Sequence, residues 1–240
     1  MQSGVRYSLF FCELPPAATH LLQAPATVAE AGLDLSYLVP VALSQLTFFA
    51  RVVDFVEQAS DAVLLDCVHK YRNFLRAASH ATRLRGPTAA AAAAVASESD
   101  NGAAQPSFEV ELIWRSQLLS PAAYANICRA LLVSGGRLVE EWPSAPRAVE
   151  DVRRQQGFLR QVLQLHAAGA VTPAQLSAQI LPLKHMFIKA GGSGESNSVQ
   201  VPCVLADLLW HTAMMSPQRY ESECLSLAGC FVNHNDELGL

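Results

Sequence analysis

The chain has 240 residues, 51% of them hydrophobic and only 16% charged, with a formal net charge of −4 and a pI of about 6.0. That is enough apolar material for one large core or two small ones, and the slight acidic balance argues against the basic excess that marks nucleic-acid-binding surfaces. No Lys/Arg cluster reads as a membrane-surface patch, and the longest uncharged apolar run, between Asp34 and Arg51, falls short of the ~20 residues a bilayer span needs and contains Ser36, Pro40, Ser44 and Gln45.

Residues 1–33 read as an N-terminal extension. Its apolar stretch, Leu9–Cys12, is followed by Pro15-Pro16 and is too short for the core of a signal peptide. The six cysteines (Cys12, Cys67, Cys128, Cys203, Cys224 and Cys230) form no Cys-x-x-Cys pair, so reduced thiols in a cytoplasmic setting are expected.

A helix is predicted over Asp34–Val56, because Ala42, Leu46, Phe49, Val53 and Val56 fall on one face. Pro40 either starts it or kinks it. A second helix should run from Asp61, as its cap, to Ala78, with Leu64, Val68, Tyr71 and Leu75 inward and Lys70, Arg72 and Arg76 on a solvated face. Residues 86–107, with alanines from Ala89 to Ala94, have no stripe to bury and read as a low-complexity insertion. Helices are then expected at Phe108–Leu119 and from Ser120-Pro121, where serine suits the cap and proline the first helical position. Ser134-Gly135-Gly136 ends that helix, and Trp142-Pro143 with Pro146 marks a connector. The second half should hold helices at Val149–Gln164, from Thr172-Pro173 with a possible interruption at Pro182, at Val204–Met215, and from Ser216-Pro217 to Gly229.

An internal repeat organises these elements. Glu111, Trp114, Ser120-Pro121, Tyr124 and Cys128 recur as Asp207, Trp210, Ser216-Pro217, Tyr220 and Cys224, each displaced by 96 residues (210 − 114 = 96). Upstream, Gln45-Leu46-Thr47-Phe48 matches Gln155-Gln156-Gly157-Phe158, and Asn73-Phe74-Leu75 matches Met186-Phe187-Ile188. The expectation is an all-α, pseudo-twofold helical bundle of two diverged repeats, each of about four helices. The first spans 34–142 and the second 143–240, each covering apolar faces the other cannot cover alone.

At the tryptophan, Ser-Pro, tyrosine and cysteine positions the chain resembles the glycine-rich domain-containing protein family, with its Trp-His-x-His pattern. Pro202, Asp207, Trp210, His211, Pro217, Tyr220, Cys224, Gly229, His234 and Asp236 fit in the second copy, and Pro106, Glu111, Trp114, Pro121, Tyr124 and Cys128 in the first. The helix from Asp34 resembles the family's opening segment and Tyr71 its Arg-Tyr pair. The family's second histidine is Ala213 here, and in the first copy the two histidine positions are Arg115 and Gln117. The sequence carries neither the glycine-rich tail nor the RNA-recognition module of some relatives. The resemblance implies no reaction, since the family's biochemical role is largely undefined.

One polar cluster bears on chemistry. Asp207 and His211 share a helix face, and the carboxylate can orient the imidazole. His211, Cys224 and His234 supply N, S and N donors suited to zinc, with Asp236 as a fourth ligand or supporting partner. The bland reading is a satisfied buried polar cluster, and Glu111 with Arg115 in the first copy favours an ion pair. Trp114, Trp210, Tyr124 and Tyr220 are expected core anchors, and Met214-Met215 core filler. His20, His69, His80, His166 and His185 are scattered, and no phosphate loop, nucleophile elbow or His-Glu-x-x-His occurs. A non-catalytic interaction or scaffold protein with a protein partner is the expected function. The alternative is a metal- or small-ligand-binding protein, with zinc as the metal, or a degenerate enzyme.

Overall fold

The computed structural model describes residues 33–77, 106–134, 144–192 and 201–234. The protein is all-α: among the described residues the regular elements are helices and no strand occurs. In chain order they are α1 (Leu38–Ser44) and α2 (Leu46–Gln58), α3 (61–77), α4 (Phe108–Leu118) and α5 (Pro121–Ser134). Then follow α6 (Ala145–Ala167), α7 (Pro173–Ser177), α8 (Ile180–Gly192), α9 (Val204–Met214) and α10 (Pro217–Ala228). The alanine-rich insertion lies, up to residue 105, outside the described residues, as do 1–32.

Several boundaries differ from the sequence reading for local reasons. The expected helix over Asp34–Val56 is two helices, and its bend of 41° falls at Gln45, not at Pro40. Pro40 sits in the first turn of α1, where its missing N–H leaves no bond unmade. Ser60, not Asp61, caps α3 through Val63 N–H at 3.4 Å. Asp61 instead binds Arg153, whose guanidinium also donates to the carbonyls of Val56 and Ala59 and so satisfies the open end of α2. Helix α6 begins earlier than expected, at Ala145, because Ser144 caps it and Pro146 fits its first turn. Thr172 and Gln175 form a capping box on α7. The interruption anticipated at Pro182 falls at Ala178–Gln179, which leaves the proline in the first turn of α8. Ser216 precedes α10 but makes no side-chain cap bond.

One continuous hydrophobic core joins both halves of the chain. Helix α6 packs on α2, α4 and α9, and α9 packs on α1, α7, α8 and α10. Each tryptophan-bearing helix therefore meets an opening helix of the other half: α4 against α6, and α9 against α1. Trp114, Trp210, Tyr124, Tyr220, Cys128, Cys224, Met214 and Met215 are all buried. Among the described residues no single helix is long and apolar enough to cross a membrane; the bent pair α1–α2 has the composition but lies in the core.

Candidate metal centre

The two tryptophans make the same local bond. Trp114 Nε1–H donates to Tyr124 Oη at 3.1 Å, and Trp210 Nε1–H to Tyr220 Oη at 2.9 Å. In each case the partner lies ten residues on, across the Ser-Pro corner, so a large ring enters the core without orphaning its N–H. Tyr220 Oη donates to the carbonyl of Val232 at 2.7 Å, which ties the segment after α10 to the core. Gly229 makes this possible: its φ of 70° is left-handed, so α10 ends and the chain turns back.

That return places His234 against α9. His234 Nδ1 stands 2.9 Å from the carbonyl oxygen of Leu119, in the corner between α4 and α5. A carbonyl can only accept, so Nδ1 carries the proton and Nε2 presents its lone pair. Nε2 faces His211 Nε2 at 3.2 Å and Asp207 Oδ1 at 3.5 Å, and His211 Nε2 stands 3.6 Å from the same carboxylate oxygen. Both imidazoles are buried; Asp207 is 22% exposed. Phe158 packs on the His211 ring at 4.4 Å and Trp210 edges the His234 ring at 4.6 Å, which fixes both rings.

Asp207 Oδ1 is itself buried and accepts no hydrogen bond. Burial pushes its carboxyl up, but when the rings are protonated a hydrogen bond from His234 and the positive charge of His211 and His234 outweigh burial and hold it below the ordinary aspartate range. Three donor atoms thus form a triangle with edges of 3.2, 3.5 and 3.6 Å. Ligands 2.0–2.1 Å from zinc at tetrahedral angles lie about 3.3–3.4 Å apart, and the centre of this triangle is about 2.0 Å from each atom. The group suits a small divalent ion with N and O ligands.

The ligand set expected from sequence is only partly assembled. His211 and His234 come together as anticipated. Asp207, read as an orienting carboxylate, is a full corner of the triangle. Cys224 lies outside it: its thiol is buried beside Tyr220 and the backbone of Val232, and burial pushes its pKa up, which opposes the thiolate a metal needs. Asp236 falls outside the described residues. Leu119 gave no sequence signal, because it contributes a backbone oxygen.

Ninety-six residues before His211 the chain carries a guanidinium, that of Arg115. Arg115 Nε and Nη2 both donate to Glu111 Oε1, at 2.9 and 2.6 Å, and Nη1 donates to Gln45 Oε1 at 3.1 Å. The cation is part of the protein there, so no ion is needed. No protein-family model matches the chain, and no curated protein and no solved structure matches it.

Proposed function

We propose that this protein is a helical scaffold whose C-terminal segment is pinned by a zinc-class metal ion bound to Asp207, His211 and His234. The triangle of donor atoms, with the tautomer of His234 set by Leu119, is the observation that carries this reading. The ion would join α9 to the segment after α10, and through Leu119 to the corner of α4 and α5. It would therefore bridge the two halves, and its binding free energy would be folding free energy. The equivalent Glu111–Arg115 pair supports a structural role, because it performs the same joining with a built-in charge. We read the two halves as diverged repeats and the chain as a relative of the glycine-rich domain-containing proteins, acting through a protein partner in the cytoplasm and not through a reaction.

Metal analysis and cobalt substitution test the metal. Protein prepared without chelator should carry close to one equivalent of zinc, and cobalt(II) should give the intense visible bands of four-coordination. At a hundredfold excess over Kd the metal should add about 2.7 kcal/mol. For a chain of this size that raises Tm by about 5–11 °C. His211→Ala and His234→Ala should abolish all three effects. A chain that stays metal-free in micromolar zinc and melts identically with chelator would sink the proposal.

A further inference from the structure

A metal ligand must be held within about 0.5 Å of its place. The bond from His234 Nδ1 to the Leu119 carbonyl does not secure that alone, because a ring held at one atom still swings about it. The residue before it supplies a second hold. Asn233 Oδ1 accepts from the N–H of Ala122 at 3.3 Å. Ala122 is the second residue of α5, and the first N–H groups of a helix have no acceptor within the helix. Such a group is usually served by a side-chain oxygen just before the helix. Here the oxygen comes from 111 residues further along the chain.

Three consecutive residues thus tie the segment after α10 to three elements. Val232 accepts from Tyr220 on α10, Asn233 accepts from Ala122 on α5, and His234 donates to Leu119, which ends α4. Asn233 is exposed whereas His234 is buried, so the second hold lies on the surface and its loss leaves the core closed. We infer that Asn233 is a positioning residue for the proposed metal centre, an inference that rests on the reading of Asp207, His211 and His234 as ligands. By capping α5 it fixes the backbone from which His234 reaches the ion. Cap and ion then hold one segment, so each strengthens the other by the same factor. Loss of the cap weakens the metal, and the metal slows opening of the Ala122 N–H.

Zinc affinity of the full chain, read by competition with a chromogenic chelator, tests this. Asn233→Ala should weaken zinc about threefold to tenfold, the usual net worth of one hydrogen bond. Asn233→Asp keeps an oxygen suited to a helix N-terminus and should restore binding to within about twofold of the parent. Ser144→Ala removes an ordinary cap, that of α6, and should lower stability without changing zinc affinity. In the parent, zinc should slow hydrogen exchange at Ala122 by a factor close to the affinity lost in Asn233→Ala. A parent that takes up no zinc overturns the metal reading and this inference together. Equal zinc affinity in the parent and in Asn233→Ala overturns this inference alone. So does an Asn233→Asp chain no better than Asn233→Ala, an equal loss of affinity in Ser144→Ala, or Ala122 exchange indifferent to zinc.

Discussion

Replacing Tyr220 by phenylalanine isolates the contact on which both the core and the proposed metal centre depend. The substitution keeps the buried ring and deletes one oxygen. That oxygen accepts from Trp210 Nε1 at 2.9 Å and donates to the Val232 carbonyl at 2.7 Å, so its loss strands a buried donor and a buried acceptor. Each stranded group costs about 1–3 kcal/mol, which sets the expected loss at about 2–6 kcal/mol, or roughly 6–12 °C in Tm for a loss of 3 kcal/mol. Tyr124→Phe is the internal control. It too strands a buried tryptophan N–H, that of Trp114, whose bond is 3.1 Å, so at least about 1 kcal/mol is expected. Urea unfolding followed by helical circular dichroism measures both, provided the slope is unchanged. Val232 lies two residues before His234, so Tyr220→Phe should also weaken zinc binding about tenfold or more, whereas Tyr124→Phe should leave it unaltered. A Tyr220→Phe chain within about 0.5 kcal/mol of the parent, or one that binds zinc as tightly as the Tyr124→Phe chain, would refute the reasoning.

Three further outcomes follow from buried polar groups. Glu111→Leu should cost about 3 kcal/mol or more, because it leaves the Arg115 guanidinium buried and unpaired, whereas Glu111→Leu combined with Arg115→Met should recover most of that loss in the same urea assay. Mass-spectrometric mapping after brief alkylation of the native chain at neutral pH should find Cys203 and Cys230 modified and Cys67, Cys128 and Cys224 protected until urea is added. Burial pushes the Cys128 thiol up to about 11, so it has little thiolate to react even when exposed transiently. Burial also raises the Glu223 carboxyl above the ordinary glutamate range, although Arg219 and Tyr37 oppose it. The folded chain therefore holds that proton more tightly than the unfolded chain, and stability should fall as pH rises through and above the glutamate range. Glu223→Gln should flatten that part of a pH series of melts.

The helices were legible because periodic apolar residues and their punctuation are local. Thr172-Pro173, Pro217 and Gly229 mark ends that the fold uses, and Trp114, Trp210, Tyr124 and Tyr220 are buried as their apolar rings suggest, although the tryptophan–tyrosine bonds were not legible. Errors arose where two local signals competed. Of the two readings of Pro40 the helix start holds and the kink does not, since the chain bends at Gln45, and Asp61 looked like a cap, but an arginine ninety-two residues away holds it. Ser216 fits the cap pattern without making the bond.

Of the Asp207–His211–His234 cluster, the sequence could offer only the Asp207–His211 spacing, because one helix fixes that pair. It could not choose between Cys224 and Asp207 as the third donor. That depends on the angle at which the chain leaves Gly229 and on a carbonyl at Leu119, more than a hundred residues from His234 in the chain. Side-chain type and helical period thus determined which residues face inward. Only the packing of helices from both halves determined which inward atoms meet, since distances of 3.2–3.6 Å between chain-distant groups are set by tertiary contacts and leave no local trace.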